Sequence, residues 1–369
     1  MDCFEPGFAK KQERTPLAVR MISLFAVLFF LLGACAPTTQ RVVIDPVLAA
    51  KEAEKQREIA LTESRKNNRR LFVISYPILV GGLSFCGDRV TPLVGASVSS
   101  IYHFPEEFHS AAKTVFGDSE QLQIAWVAPG TPADKAGLRE HDLLLRINNK
   151  PVPKGKGAPK GFAKLYGEAA KGKQSFTLDV RRGEEEIRLT LMPEMGCDYP
   201  VLLASDDSLN AFADGERIVI MRGMVRFAES DTELGTVIAH ELAHNAMEHI
   251  SAKQGNAMLG LLADILASVG GVNTQGTFSR LAGRMHSQAF EAEADYVGLY
   301  IMALSGLEIK GAAYFWRRMA AAHPQAIREG GFLASHPSTP ERFLALEKTV
   351  EEIEQKQAAG KPLRPEMKK

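Results

Sequence analysis

Two histidines four residues apart, with a glutamate directly after the first, form the most chemically suggestive constellation in the chain: His240-Glu241-Leu242-Ala243-His244. On a helix, positions i and i+4 stand one above the other, roughly 5–6 Å between Cβ atoms, so two imidazoles can share one metal ion. A glutamate beside them can hold and deprotonate a water at that ion, the arrangement of a hydrolytic zinc site. The element that must position them is legible. Ser230 and Glu233 form a capping-box pattern, and Leu234, Val237, Ile238 and Leu242 supply a buried helical stripe. Such a site needs three protein ligands and one open position. A third histidine three residues after a glycine is absent, since Met247 and Ile250 stand at those places. A second helical stretch, Phe290-Glu291-Ala292-Glu293-Ala294-Asp295, offers carboxylates instead, with Glu291 and Asp295 again four apart. Like charges at that spacing destabilise a bare helix by about 0.2–0.5 kcal/mol, and an adjacent cation or imidazole N–H reverses the sign. Glu291 is therefore assigned as the third ligand of one zinc ion per chain, and Asp295 as the carboxylate that orients a ligand imidazole.

These segments, followed by Ser335-His336-Pro337-Ser338-Thr339-Pro340-Glu341-Arg342, resemble the motif series of peptidase family M48, the group of HtpX-like and BepA-type zinc metalloproteases. Leu209-Asn210-Ala211-Phe212-Ala213, Arg217-Ile218-Val219-Ile220-Met221 and Gly223-Met224 are similar to the usual run-up to the zinc helix, so the resemblance covers residues 198–350. It implies an α+β fold: a mostly helical zincin-type metalloprotease domain with a small edge sheet. It also implies Glu291 rather than Glu293 as ligand, and a zinc-dependent metalloendopeptidase acting on misfolded or unassembled cell-envelope proteins. In that chemistry Glu241 is the general base. His336 is the candidate donor to the developing oxyanion, with Arg342 as a supporting charge; a resting-state place on zinc, or a capping or packing role in the His-Pro segment, are the alternatives for His336. His249 falls near the end of the zinc helix, where an interaction with the helix dipole suffices. His103, His109, His141, His286 and His323 have no ligand spacing. Substrate is expected to add as an extended strand along an edge formed by residues 217–221.

The chain has 369 residues, enough for two domains, and its 44 basic and 44 acidic residues balance, so no electrostatic argument favours nucleic acid. Residues 21–32 form an uncharged apolar run of 12 residues preceded by Lys10, Lys11, Arg14 and Arg20. That length suits a signal peptide and falls short of the ~20 residues that span a bilayer. The run ends in Leu32-Gly33-Ala34-Cys35, which resembles the cleavage box of bacterial lipoproteins; the expectation is a lipid on Cys35 and a place on the periplasmic face of the outer membrane. Of the remaining cysteines, Cys86 and Cys197 read as a disulfide in an oxidising compartment, with two buried thiols as the alternative.

The expected organisation is a signal peptide at 1–34, a polar helical tether at 35–70, an N-terminal part of the catalytic body at 71–116, a PDZ-like domain at 117–192, a zinc metallopeptidase domain at 193–355 and a disordered tail at 356–369. Pro77 argues against an uninterrupted helix through residues 71–85. The PDZ resemblance rests on Leu122-Gln123-Ile124-Ala125-Trp126-Val127, the segment from Pro129 to Leu138 with Gly137 closing a short helix, and Asp142 to Asn148, while residues 175–181 and 186–191 alternate as a hairpin. His141 stands where a glycine is usual, and no peptide-carboxylate loop is identifiable. The basic glycine-rich residues 154–164 lack the ending of a phosphate loop. Residues 258–269 read as an apolar helix beside the cleft, a lid or plain core. The partners implied are protein or peptide substrates and, through the anchor, a membrane. The competing class is a non-proteolytic PDZ-containing chaperone or scaffold for envelope assembly.

Overall fold

Asp45 starts the first helix: its Oδ1 accepts from Val47 N at 2.7 Å, and α1 runs Pro46–Gly81. The computed structural model describes residues 42–252, 287–322 and 340–366. The expected signal peptide, Cys35, the apolar run at 258–269 and His336 lie outside the described residues. By compactness the chain divides into Met1–Ala53 and Glu54–Lys369. In the first unit residues 42–52 are exposed.

Helix α1 contains Pro77, so the expectation of an interrupted helix fails. An interior proline costs ~3 kcal/mol. Leu71, Ile74, Ile78 and Leu79, on both sides of it, are buried in the main core, and burial of a large aliphatic side chain stabilises by about 1.5–3 kcal/mol each. Packing therefore outweighs the lost backbone bond.

After α1, β1 (Val90–Leu93) pairs antiparallel with β8 (Glu194–Cys197), flanking an inserted module. Within it come β2 (Ala96–Ser99), α2 (His109–Phe116), β3 (Gln123–Val127), α3 (Pro132–Lys135), β4 (Leu143–Ile147), β5 (Lys150–Pro151), α4 (Ala158–Ala169), β6 (Phe176–Arg182) and β7 (Glu185–Leu191). The sheet order is β2-β3-β4-β6-β7, with β5 on β4. Ile124, Leu144, Ile147, Val180 and Leu191 fill its separate core. His141 adopts φ +68° and Gly137 φ +81°, the left-handed turns that join α3 to β4. Strand β2 corrects the expected start at 117: Ala96 pairs with Val127 and Ser99 with Gln123. Its small residues carry no clear alternation, so the strand had no local signal.

The main body follows: β9 (Val201–Ala204), β10 (Ala211–Ala213), β11 (Ile218–Met221), α5 (Arg222–Phe227), α6 (Asp231–Ala246), α7 (Ser287–Leu304), α8 (Ala312–Ala321) and α9 (Pro340–Ala358). It is mainly helical with one small three-stranded sheet, so the molecule is α+β with a PDZ-like β/α module. A bond between Cys86 and Cys197 (Cα–Cα 5.6 Å) ties the end of α1 to β8 across 111 positions. Residues 356–366 are ordered rather than the expected disordered tail. Lys356 Nζ donates to Tyr300 Oη at 2.8 Å and to the Arg364 carbonyl at 2.7 Å, and Leu363 packs on the main core. Among the described residues, no helix is long and apolar enough to cross a membrane.

Candidate metal centre

Helix α6 is held at its start by Ser230, whose Oγ accepts from Glu233 N at 3.2 Å. The Glu233 carboxylate reaches back to Glu229 N at 2.7 Å, one residue before the place a strict capping box uses. Every residue from Leu234 to Asn245 is buried. The histidine pair therefore sits in the core, where polar groups must find partners.

Those partners come from α7. His240 Nε2 and His244 Nε2 are 3.1 Å apart. Glu291 Oε2 lies 3.3 Å from His240 Nε2, and its Oε1 3.3 Å from His244 Nε2. Tetrahedral zinc with bonds of about 2.0–2.2 Å has neighbouring ligand atoms about 3.3 Å apart. The imidazole pair stands near that edge and each imidazole faces a different Glu291 oxygen at a similar distance, so His240, His244 and Glu291 together can hold a metal ion. Two imidazoles and one carboxylate are also a donor set of catalytic zinc. The residues present fit the ion.

Electrostatics point the same way. Among the described residues, Glu241, Glu291 and Asp295 are buried together with the guanidinium of Arg342. His240 reports these neighbours directly. Burial alone pulls its pKa down, but the bonds to Asp295 and Glu291 win and push it up to about 9. Asp295 Oδ1 is 3.0 Å from His240 Nδ1. Burial raises the Asp295 pKa, yet the Arg342 and His240 charges hold it below its ordinary value. Arg342, near the start of α9, donates from Nε and Nη2 to the two Asp295 oxygens at 2.7 and 2.8 Å. It also lies 3.5 Å from Glu291 Oε2. The guanidinium expected to support charge on a carbonyl oxygen is thus committed to the carboxylate behind His240. Trp316 of α8 packs on the His240 ring, centroids 5.1 Å apart.

On the other side, α6 ends at Ala246, and Glu248 takes φ +56°. That left-handed step brings His249 back onto α6: His249 Nδ1 is 2.9 Å from His244 Nδ1. A continuous helix would set residue i+5 about 140° away around the axis, which is why spacing suggested only a dipole contact for His249. Its Nε2 is 3.0 Å from Glu293 Oε2.

Two further residues bring these parts together. Gly298 lies two helical turns after Glu291, and a Cβ there would come within 3.2 Å of His240 N and 3.3 Å of the Ala239 carbonyl. The missing side chain lets α7 approach the α6 backbone closely enough for its carboxylates to reach the imidazoles. Asn245 Oδ1 accepts from Gly215 N at 2.8 Å, and its Nδ2 donates to the Arg217 carbonyl at 3.1 Å, fixing the β10–β11 hairpin against α6. In that sheet the order is β10-β11-β9. Residues 218–221 are therefore internal, paired on both sides, and the edges of the sheet are β10 and β9 rather than the expected residues 217–221. Asn245, Gly298, Trp316, His249 and Glu293 were not selected from sequence; the Glu293 carboxylate two residues from Glu291 was the nearest signal.

Residues 181–350 match the family described as Peptidase family M48, and residues 123–182 match the PDZ domain. A mitochondrial metalloendopeptidase OMA1 of Arabidopsis thaliana is 30% identical over 162 residues, 42% of this chain and 33% of that protein. A beta-barrel assembly-enhancing protease of Escherichia coli O157:H7 is 28% identical over 164 residues, 40% of this chain and 33% of that protein. The matched segment spans about a third of each relative. The HtrA3 PDZ domain bound to a phage-derived ligand shares 21% identity over 29% of this chain and 88% of that one, with a TM-score of 0.22.

Proposed function

We propose a zinc-dependent metalloendopeptidase, from a chain whose residues 181–350 match peptidase family M48 and whose residues 123–182 match the PDZ domain. The single observation that carries this reading is the convergence of the His240 and His244 imidazoles and the Glu291 carboxylate on one point where a metal ion can be held. Bound there, a zinc ion supplies Lewis acidity toward water and the scissile carbonyl. Glu241 accepts the proton of the attacking water and delivers it to the leaving amine. Asp295, backed by Arg342, holds the His240 ring and its tautomer. An extended substrate lies along the free edge of β10, where Phe212 faces outward, and main-chain pairing gives little sequence selectivity. That suits a protease for misfolded or unassembled envelope proteins. The Cys86–Cys197 bond supports an oxidising compartment, and lipidation at Cys35 would supply the outer-membrane anchor.

Replacing Glu241 by glutamine is expected to abolish peptide hydrolysis while the protein still binds one equivalent of zinc. Undiminished hydrolysis of an unfolded substrate by that variant removes Glu241 from the chemistry. The scaffold reading has one observation in its favour, an apolar cavity of about 610 Å³ between α1, β2 and α4. Phe72 and Tyr76 of α1 and Phe162 and Tyr166 of α4 line it. If the Glu241→Gln protein restores the phenotype of a deletion strain in full, scaffolding is the function and hydrolysis is not.

A further inference from the structure

We infer that His249, held by Glu293, is the positioning residue of the His244 imidazole, so that the two histidine ligands are supported in unlike ways. This rests on the metal-site reading above. The argument begins with hydrogen counting. His244 Nε2 faces His240 Nε2 and Glu291 Oε1, so the tautomer able to ligate through Nε2 carries its proton on Nδ1. The 2.9 Å contact between the two Nδ1 atoms then has one direction: His244 donates and His249 accepts. The His249 proton must reside on Nε2, which donates to Glu293 Oε2 at 3.0 Å. Phe290 stacks on the His249 ring, centroids 4.6 Å apart and planes inclined by 24°, and so fixes the acceptor's plane.

The two supports differ in charge. His240 leans directly on Asp295, a carboxylate 5% exposed and neutralised by Arg342. His244 leans on a neutral ring, and the carboxylate behind it, Glu293, is 49% exposed, where water screens its charge. Glu291 and Glu293 lie about 200° apart around α7; one joins the donor set and the other braces His249. Three acidic residues of one short segment thus have three distinct partners: Glu291 the imidazole donor face, Glu293 the His249 ring and Asp295 the far nitrogen of His240.

Three variants of the full chain test this, with zinc and cobalt(II) dissociation constants measured by chelator competition, the cobalt absorption spectrum, and metal-free melting as the check on folding. His249→Phe keeps a ring over Phe290 but cannot accept a hydrogen bond. His249→Gln presents a carbonyl acceptor without the ring. Losing an outer hydrogen-bond partner of a ligand histidine weakens metal binding by about 10–100-fold. That loss, with an altered cobalt spectrum, is expected for the phenylalanine variant, and substantial rescue for the glutamine variant. Parent-like affinity in His249→Phe, or a glutamine variant as weak as the phenylalanine one, overturns the inference in favour of simple packing. Should His249→Phe fail to fold, Glu293→Ala, at a half-exposed position, carries the test: weaker binding supports the brace, unchanged binding overturns it. A parent chain that binds neither ion sinks the metal-site reading itself, a separate result.

Discussion

Replacing Gly298 by alanine tests how two helices deliver ligands to one point. The added Cβ would stand 3.2 Å from His240 N and 3.3 Å from the Ala239 carbonyl carbon and oxygen. Contacts between such atoms are comfortable at about 3.5–4.0 Å, so α7 must retreat from α6 by a few tenths of an ångström. Overpacking of that kind costs about 1–3 kcal/mol. Alanine in place of glycine inside a helix returns ~1 kcal/mol. The net change in metal-free stability is therefore small, a loss of about 0–2 kcal/mol. Metal binding has less latitude, since ligand distances tolerate only about ±0.2 Å, and the Glu291 carboxylate rides on the displaced helix. Zinc affinity is expected to fall about tenfold, equivalent to ~1.4 kcal/mol. The assay is chelator competition on parent and variant, with melting curves taken with and without zinc. Gly167 in α4 has open space around it, so Gly167→Ala is the control and should leave zinc affinity unchanged. A Gly298→Ala protein that binds zinc as tightly as the parent refutes the close-crossing argument.

Asp295→Asn leaves Arg342 with its main partner neutralised inside the core, and breaking a buried pair costs about 3–5 kcal/mol; chemical denaturation of the zinc-free protein should show it, and an unmoved midpoint would remove Asp295 from the network. Reducing the Cys86–Cys197 bond frees a long loop and should lower stability by about 2–4 kcal/mol; identical melting with and without reductant would contradict a stabilising role. Asp179 is held at a pKa of about 2, first by its bond from Arg188 and then by Arg146. Because the folded value lies below the unfolded one of about 3.9, its contribution is present in full above pH ~4 and is lost as pH falls toward 2. Asp179→Asn should flatten that stretch of the acid-unfolding curve, and an unchanged curve would mean that other carboxylates govern it.

The zinc helix was legible because its signals are local. Ser230, the buried stripe and the His240–His244 spacing all follow the period of one helix, and so does the Glu291–Asp295 pair. What failed to show depended on chain reversal or on another element. Pro77 read as a breaker because the core that holds α1 on both sides of it is assembled from distant segments. Strand β2 exists only by pairing with β3, from Ser99 with Gln123 to Ala96 with Val127.

By itself the sequence determined which side chains could ligate, which glutamate could move a proton, and on which helices they ride, because side-chain chemistry and helical period need no partner. Tertiary structure alone decided that Gly298 lets the helices meet, that Arg342 serves Asp295, and that the turn at Glu248 returns His249 to His244. It also placed β11 inside its sheet, with β10 and β9 at the edges. Those outcomes arise from distances between elements far apart in the chain, and no periodicity within one element encodes such a distance.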